Sequence, residues 1–154
     1  MTTRALPFLA LLALAGVLAA GALAAQPSHA SLTIRHQLRG CHSWSLNGGA
    51  YRATQTVVLH RGGAVTVVNR DVMPHKLIET AGPAVTYTRV SRGDMMGLKG
   101  TFPPSMLARM GAATRITFAR PGVYRFTTKP GEDYMAGIKT VGEDNVLRLT
   151  VQVR

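Results

Sequence analysis

The stretch Asn69-Arg70-Asp71-Val72-Met73-Pro74-His75-Lys76-Leu77 holds a strand end, a tight turn and a strand start within nine residues. It follows the β-branched run Ala64 to Asn69, breaks at Asp and Pro, and resumes with a histidine at the head of a short strand, His75 to Glu79. Upstream, Thr54 to His60 is a second β-branched run, separated from Ala64 by Arg61-Gly62-Gly63, a spacing that predicts a β-hairpin.

The same periodicity extends outward. Leu32, Ile34, His36 and Leu38 alternate with Thr33, Arg35, Gln37 and Arg39, as in a half-buried strand. Gly40 to Gly49 ends in a turn signal, and Ala113 to Phe118, Val123 to Thr128 and Val146 to Val153 are further strand-like runs bounded by Gly, Pro or Asn. Ser91 to Met110, broken by Gly93, Gly97, Gly100, Pro103 and Pro104, reads as an irregular excursion with at most a short helical turn at Ser105 to Met110. Short strands at this spacing, without a long amphipathic helix, predict an all-β fold, an antiparallel sandwich or barrel.

The first residues do not belong to that fold. Met1 to Arg4 are a short basic start and Ala5 to Ala25 an uncharged apolar run, the layout of a secretory signal over residues 1–25. Ala22-Leu23-Ala24 and Ser28-His29-Ala30 both offer small-residue cleavage sites, so cleavage can fall as late as residue 30, leaving a domain over 31–154. The run also approaches the ~20 residues that span a bilayer, so an uncleaved anchor stays open. Either outcome puts the domain outside the cytoplasm, in the periplasm or beyond.

Of the 154 residues, 18 are Lys or Arg and 7 are Asp or Glu, a formal charge of +11. Basic residues are scattered through every segment rather than interleaved with aromatics on one face, which argues against a nucleic-acid partner. Loose attraction to anionic membrane surfaces is the simpler consequence. A single Cys41 in an oxidising compartment has no internal disulfide partner, leaving an inert buried thiol, an intermolecular bridge or a metal ligand.

A second stretch, Pro121-Gly122-Val123-Tyr124-Arg125-Phe126-Thr127-Thr128-Lys129-Pro130-Gly131-Glu132-Asp133-Tyr134-Met135, completes a pattern with the first. Together they resemble the cupredoxin family, with its Asn-x-Asp followed by His and its later Pro-Gly-x-Tyr-x-Phe strand leading into a copper loop. The resemblance spans roughly residues 55 to 153. It implies an all-β, antiparallel Greek-key β-sandwich of the cupredoxin-like kind holding one copper ion, with His75 as the upstream imidazole and Met135 as the loop thioether. Two positions depart from the family: Thr128 stands where its cysteine would be, and Glu132 or Asp133 where its second histidine would be.

Cys41 and His42, in the connection after the first strand, can replace the lost thiolate and imidazole if that connection closes at the copper end. The expected set is then Cys41, His42 and His75 with Met135 as a weak axial ligand. Adjacent residues of an extended strand point to opposite faces, so Cys41 and His42 can share one ion only across a bend, for which Gly40 is suited. Otherwise His36, on the side of Ile34 and Leu38, is the substitute. Trp44 reads as core beside the site, and His29 and His60 as surface positions.

The expected function is electron transfer by a copper-binding, cupredoxin-like protein outside the cytoplasm, acting as a monomer with a redox partner. Met73, Met95, Met96, Met106, Met110 and Met135 keep a second reading open: a copper chaperone or store with Met and His ligands and a copper-trafficking partner, since thioethers suit Cu(I). A metal-free structural sandwich is the third. No enzyme is expected: no Ser-His-Asp or paired-carboxylate arrangement stands out, and one short domain has no room for an oxidase's further copper centre.

Overall fold

In the computed structural model, residues 26–36, 42–94, 99–129 and 146–154 are described, with backbone only at 36, 42 and 129. They form eleven strands and no helix among the described residues: β1 (His29–His36), β2 (His42–Leu46), β3 (Tyr51–Arg52), β4 (Thr54–Leu59), β5 (Ala64–Asn69), β6 (His75–Ala81), β7 (Thr86–Arg92), β8 (Met106–Leu107), β9 (Ala112–Thr117), β10 (Gly122–Lys129) and β11 (Leu147–Val153). One sheet runs β3-β2-β1-β5-β9-β7, the other β4-β11-β10-β6-β8. The expected all-β sandwich is therefore present.

Most neighbours are antiparallel, but β1 runs parallel to β5 and β11 parallel to β4, which makes both sheets mixed. The predicted hairpin between Thr54–His60 and Ala64–Asn69 does not form, because β4 and β5 lie in opposite sheets. The Arg61-Gly62-Gly63 turn crosses between them and spends its backbone groups on distant strands. Arg61 N–H donates to Arg154 O at 2.9 Å, Gly62 N–H to Phe118 O at 2.8 Å, and Gly63 O accepts from Phe118 N–H at 3.0 Å.

The excursion also differs from expectation. β7 begins before it, and Ser105 to Met110 carries the short strand β8 in place of a helical turn. Leu77 N–H donates to Ser105 O at 2.8 Å and Met106 N–H to Pro103 O at 2.9 Å, bonds that fix this segment along the edge of β6.

Along most of the long strands alternate residues point inward. Leu32, Ile34, Trp44, Leu59, Val65, Val67, Ile116, Leu149 and Val151 are almost wholly buried, with Phe118, Tyr124 and Phe126 among them. Phe118 meets Tyr124 edge-on at 4.8 Å and Phe126 at 6.1 Å between ring centroids. The Tyr124 hydroxyl donates to Arg120 O at 2.6 Å, tying the start of β10 to the loop before it. Trp44, as expected, is core, and His29 and His60 are exposed.

Gly82 packs its backbone on Tyr124 with φ +124°, and a Cβ there would lie 2.9 Å from both Cα and Cδ1 of that ring. Gly82→Ala is expected to destabilise the protein by about 2 kcal/mol, combining left-handed backbone strain with overpacking. Urea unfolding checks it; a change under about 0.5 kcal/mol, the range of neutral surface substitutions, contradicts the contact.

Candidate functional site

One end of the sandwich collects the C-terminal ends of β1, β5 and β10 with the N-terminal ends of β2, β6 and β11. Asn69 organises it. Wholly buried, it accepts the Asp71 N–H on Oδ1 at 2.9 Å, and its Nδ2 donates toward Met73 O at 2.9 Å and Leu107 O and Arg109 O at 3.3 Å each. Its backbone carbonyl accepts from Gly111 N–H at 2.7 Å. A buried amide must satisfy its polar atoms, and here that requirement joins β5, the 70–74 turn and β8.

Asp71, 1% exposed, closes the turn by accepting the Met73 N–H on Oδ1 at 3.0 Å. Its Oδ2 lies 3.4 Å from Nε2 of His75, a long contact between two fully buried side chains. The carboxylate favours the tautomer with the proton on Nε2, which makes Nδ1 the lone-pair nitrogen of the ring. His75 stands opposite Leu107 of β8, and two residues further along, Leu77 stands opposite Thr128 of β10. Metal-ligating histidines are commonly oriented in this way, by a carboxylate at the second ring nitrogen.

Thr128, at the position of the family's cysteine, is fully buried, and its hydroxyl has no hydrogen-bond partner among the described residues. The same holds for Ser43 Oγ and Trp44 Nε1 near the start of β2. Cys41 and Met135 lie outside the described residues, as do Glu132 and Asp133. For His36 and His42 the backbone alone is described, and it sets them directly opposite one another as the last register pair of β1 and β2, next in line to Arg35 and Ser43. Among the described residues no group of three or more His, Cys, Asp and Glu comes together. They thus supply one imidazole and its orienting carboxylate, fewer donors than a thiolate copper site requires. Of the methionines, Met106 is buried at 3% exposure and serves as core, while Met73 and Met110 are half-buried.

In the sequence pattern Asp71 carries no role of its own. Its spacing of four residues before His75, across a Pro turn, was the available clue.

No protein-family model matches this chain, and no curated protein is significantly similar to it. Solved structures with a similar fold include a reduced amicyanin variant, 17% identical with TM-score 0.38, covering 80% of this chain and 82% of that one. Amicyanin from Paracoccus versutus is 20% identical with TM-score 0.35, covering 68% and 72%. A multicopper oxidase is 11% identical with TM-score 0.42, and this chain covers 45% of it. Superpositions this loose carry no argument about function, and the assignment of an all-β sandwich rests on the strand order itself.

Proposed function

We propose that this protein binds one copper ion at the His75 end of the sandwich and transfers electrons outside the cytoplasm. The observation that carries the reading is His75, buried, with Asp71 facing its Nε2. Cys41 supplies the thiolate, Met135 the weak axial thioether, and His42 or His36 the second imidazole. The register pairing of His36 with His42 supports either one, since both positions end the same ladder. Copper supplies a one-electron couple when bound; the chain's part is to hold and orient the donors and to keep water from them. The test is the copper content and visible spectrum of the purified protein, with the outcomes argued below.

Export is part of the same reading, and the fold bears on where the leader is cut. Pro27 O accepts from His60 N–H at 3.3 Å, Ser28 O accepts from Ala64 N–H at 2.9 Å, and Ala30 is 1% exposed in the core. Cleavage after Ala30 would remove all of these. The mature N-terminus is expected at or before Gln26, as read by intact mass of the exported protein; a start at Ser31 would contradict it.

A further inference from the structure

At the end of the sandwich opposite His75, Gln26 to Ser28 lead into β1, and Pro27 O and Ser28 O accept from His60 and Ala64 N–H at 3.3 and 2.9 Å. The turn at residues 60–63, the loop at 118–121 and Arg154 adjoin them. Arg61 N–H donates to Arg154 O at 2.9 Å, and Arg61 Nε–H donates to Ala119 O at 3.2 Å, one residue before Arg120. These bonds set Arg61, Arg120 and Arg154 on adjoining backbone, and all three residues are exposed. We propose that this end docks on a bilayer surface of anionic phospholipid and turns the His75 end toward solution.

The formal charge here has one sign. Arg61 spends its Nε–H on the Ala119 carbonyl and Arg154 an Nη2–H on Gln152 Oε1 at 3.3 Å, and both acceptors are neutral, so neither bond cancels a charge. Residues 26–29, 60–63, 82–85, 118–122 and 154 contain no Asp or Glu. The described carboxylates stand elsewhere: Asp71 in the turn before β6, Glu79 within β6 opposite Phe126, and Asp94 just after β7. A lipid surface is extended, so the three arginines need only lie at one end and need not converge on a point. Each cation near an anionic leaflet strengthens binding about fivefold.

The proposal rests on the reading that the chain is exported. The uncharged apolar run Ala5 to Ala25 joins the chain at Gln26, at this same end, so export brings this end of the domain nearest the membrane. That favours a bilayer over an acidic protein as the occupant. Net charge alone predicts a loose attraction without direction; the fold gives it a face. The eight residues of β1 set the His75 end about 25 Å away from the lipid, open to a soluble partner.

The experiment is co-sedimentation of the exported protein with vesicles of phosphatidylcholine alone and of phosphatidylcholine with phosphatidylglycerol in equal parts. Retention on the mixed vesicles alone is expected, weakening as added salt screens the surface. Arg61→Gln, Arg120→Gln and Arg154→Gln together should weaken it about a hundredfold, from about fivefold for each cation. Arg35→Gln, Arg52→Gln and Arg148→Gln together remove the same charge from exposed positions toward the His75 end and should leave it nearly unchanged. Lysine at positions 61, 120 and 154 should bind like the wild type, which separates charge from loss of the bond between Arg61 and Ala119. Equal weakening by the two glutamine triples would overturn the proposal, because overall charge would then suffice. So would equal binding to neutral vesicles, as a retained apolar segment gives, or binding to neither, which leaves an acidic protein as the partner this charge fits. Export is read separately from the N-terminal mass, so a cut leader without vesicle binding discards the surface and keeps export.

Discussion

Copper(II) added to the purified protein is expected to produce an intense visible band that is absent from both Cys41→Ser and His75→Ala. A thiolate bonded to Cu(II) is the source of such colour in the family this chain resembles, and Cys41 is the single thiol available. Removing His75 takes away the best-oriented donor at that end of the sandwich. Asp71→Asn adds a finer test. Its carbonyl can still accept the Met73 N–H, but its NH₂ would face Nε2 and favour the opposite tautomer, with the proton on Nδ1. Loss of such an orienting partner lowers metal affinity by about 10- to 100-fold. Met135→Leu should keep the colour and shift its energy or the reduction potential, since an axial thioether tunes the copper without holding it. Thr128→Ala should change neither. A colourless wild type that still binds Cu(I) would replace electron transfer by copper delivery through the methionines. Failure to bind either oxidation state would leave the sandwich as a scaffold.

The two parts of the molecule were legible in the sequence to different depths. Alternation in 32–39, 64–69 and 123–128 identifies strands because burial on one face imposes a period of two. It says nothing about which strands pair. The turn at Arg61 to Gly63 looks like a hairpin locally, yet its hydrogen bonds go to Phe118 and Arg154, more than fifty residues away. β7 gives no strand signal, because Thr86 to Arg92 is exposed or half-buried throughout and carries no apolar stripe. At the site, His75 could be found from the Asn-x-Asp pattern, whereas the contact of Asp71 with its ring depends on how the Pro turn doubles back. Arg89, Arg92 and Arg109 read as scattered charges along the chain. They line one cavity only because the loop before β8 returns to β7, an outcome no local pattern encodes. The proposed thiolate and axial ligands, Cys41 and Met135, still rest on the sequence alone.

Asn69→Ala is expected to be the most damaging polar substitution at this end, costing about 3 kcal/mol in urea unfolding. The amide is fully buried, and its removal leaves the carbonyls of Met73, Leu107 and Arg109 without that donor and the Asp71 N–H without its acceptor. Each buried polar group so orphaned costs about 1–3 kcal/mol where water cannot replace the partner, and partial relaxation of the turn offsets some of the sum. Asn69→Asp separates shape from hydrogen bonding. It keeps the bond from the Asp71 N–H but sets a carboxylate against three carbonyl oxygens, so it should be at least as harmful as alanine. Because Asn69 joins β5 to β8 and to the turn that presents His75, the loss should extend beyond stability: amide exchange in 70–77 and 106–111 should speed up while β1, β10 and β11 stay protected. Uniform loss of protection across both sheets would show that Asn69 supports the whole core rather than this end of it. A cost under about 1 kcal/mol, less than one orphaned group, would mean that the backbone around His75 finds other partners and that Asn69 does not organise the site.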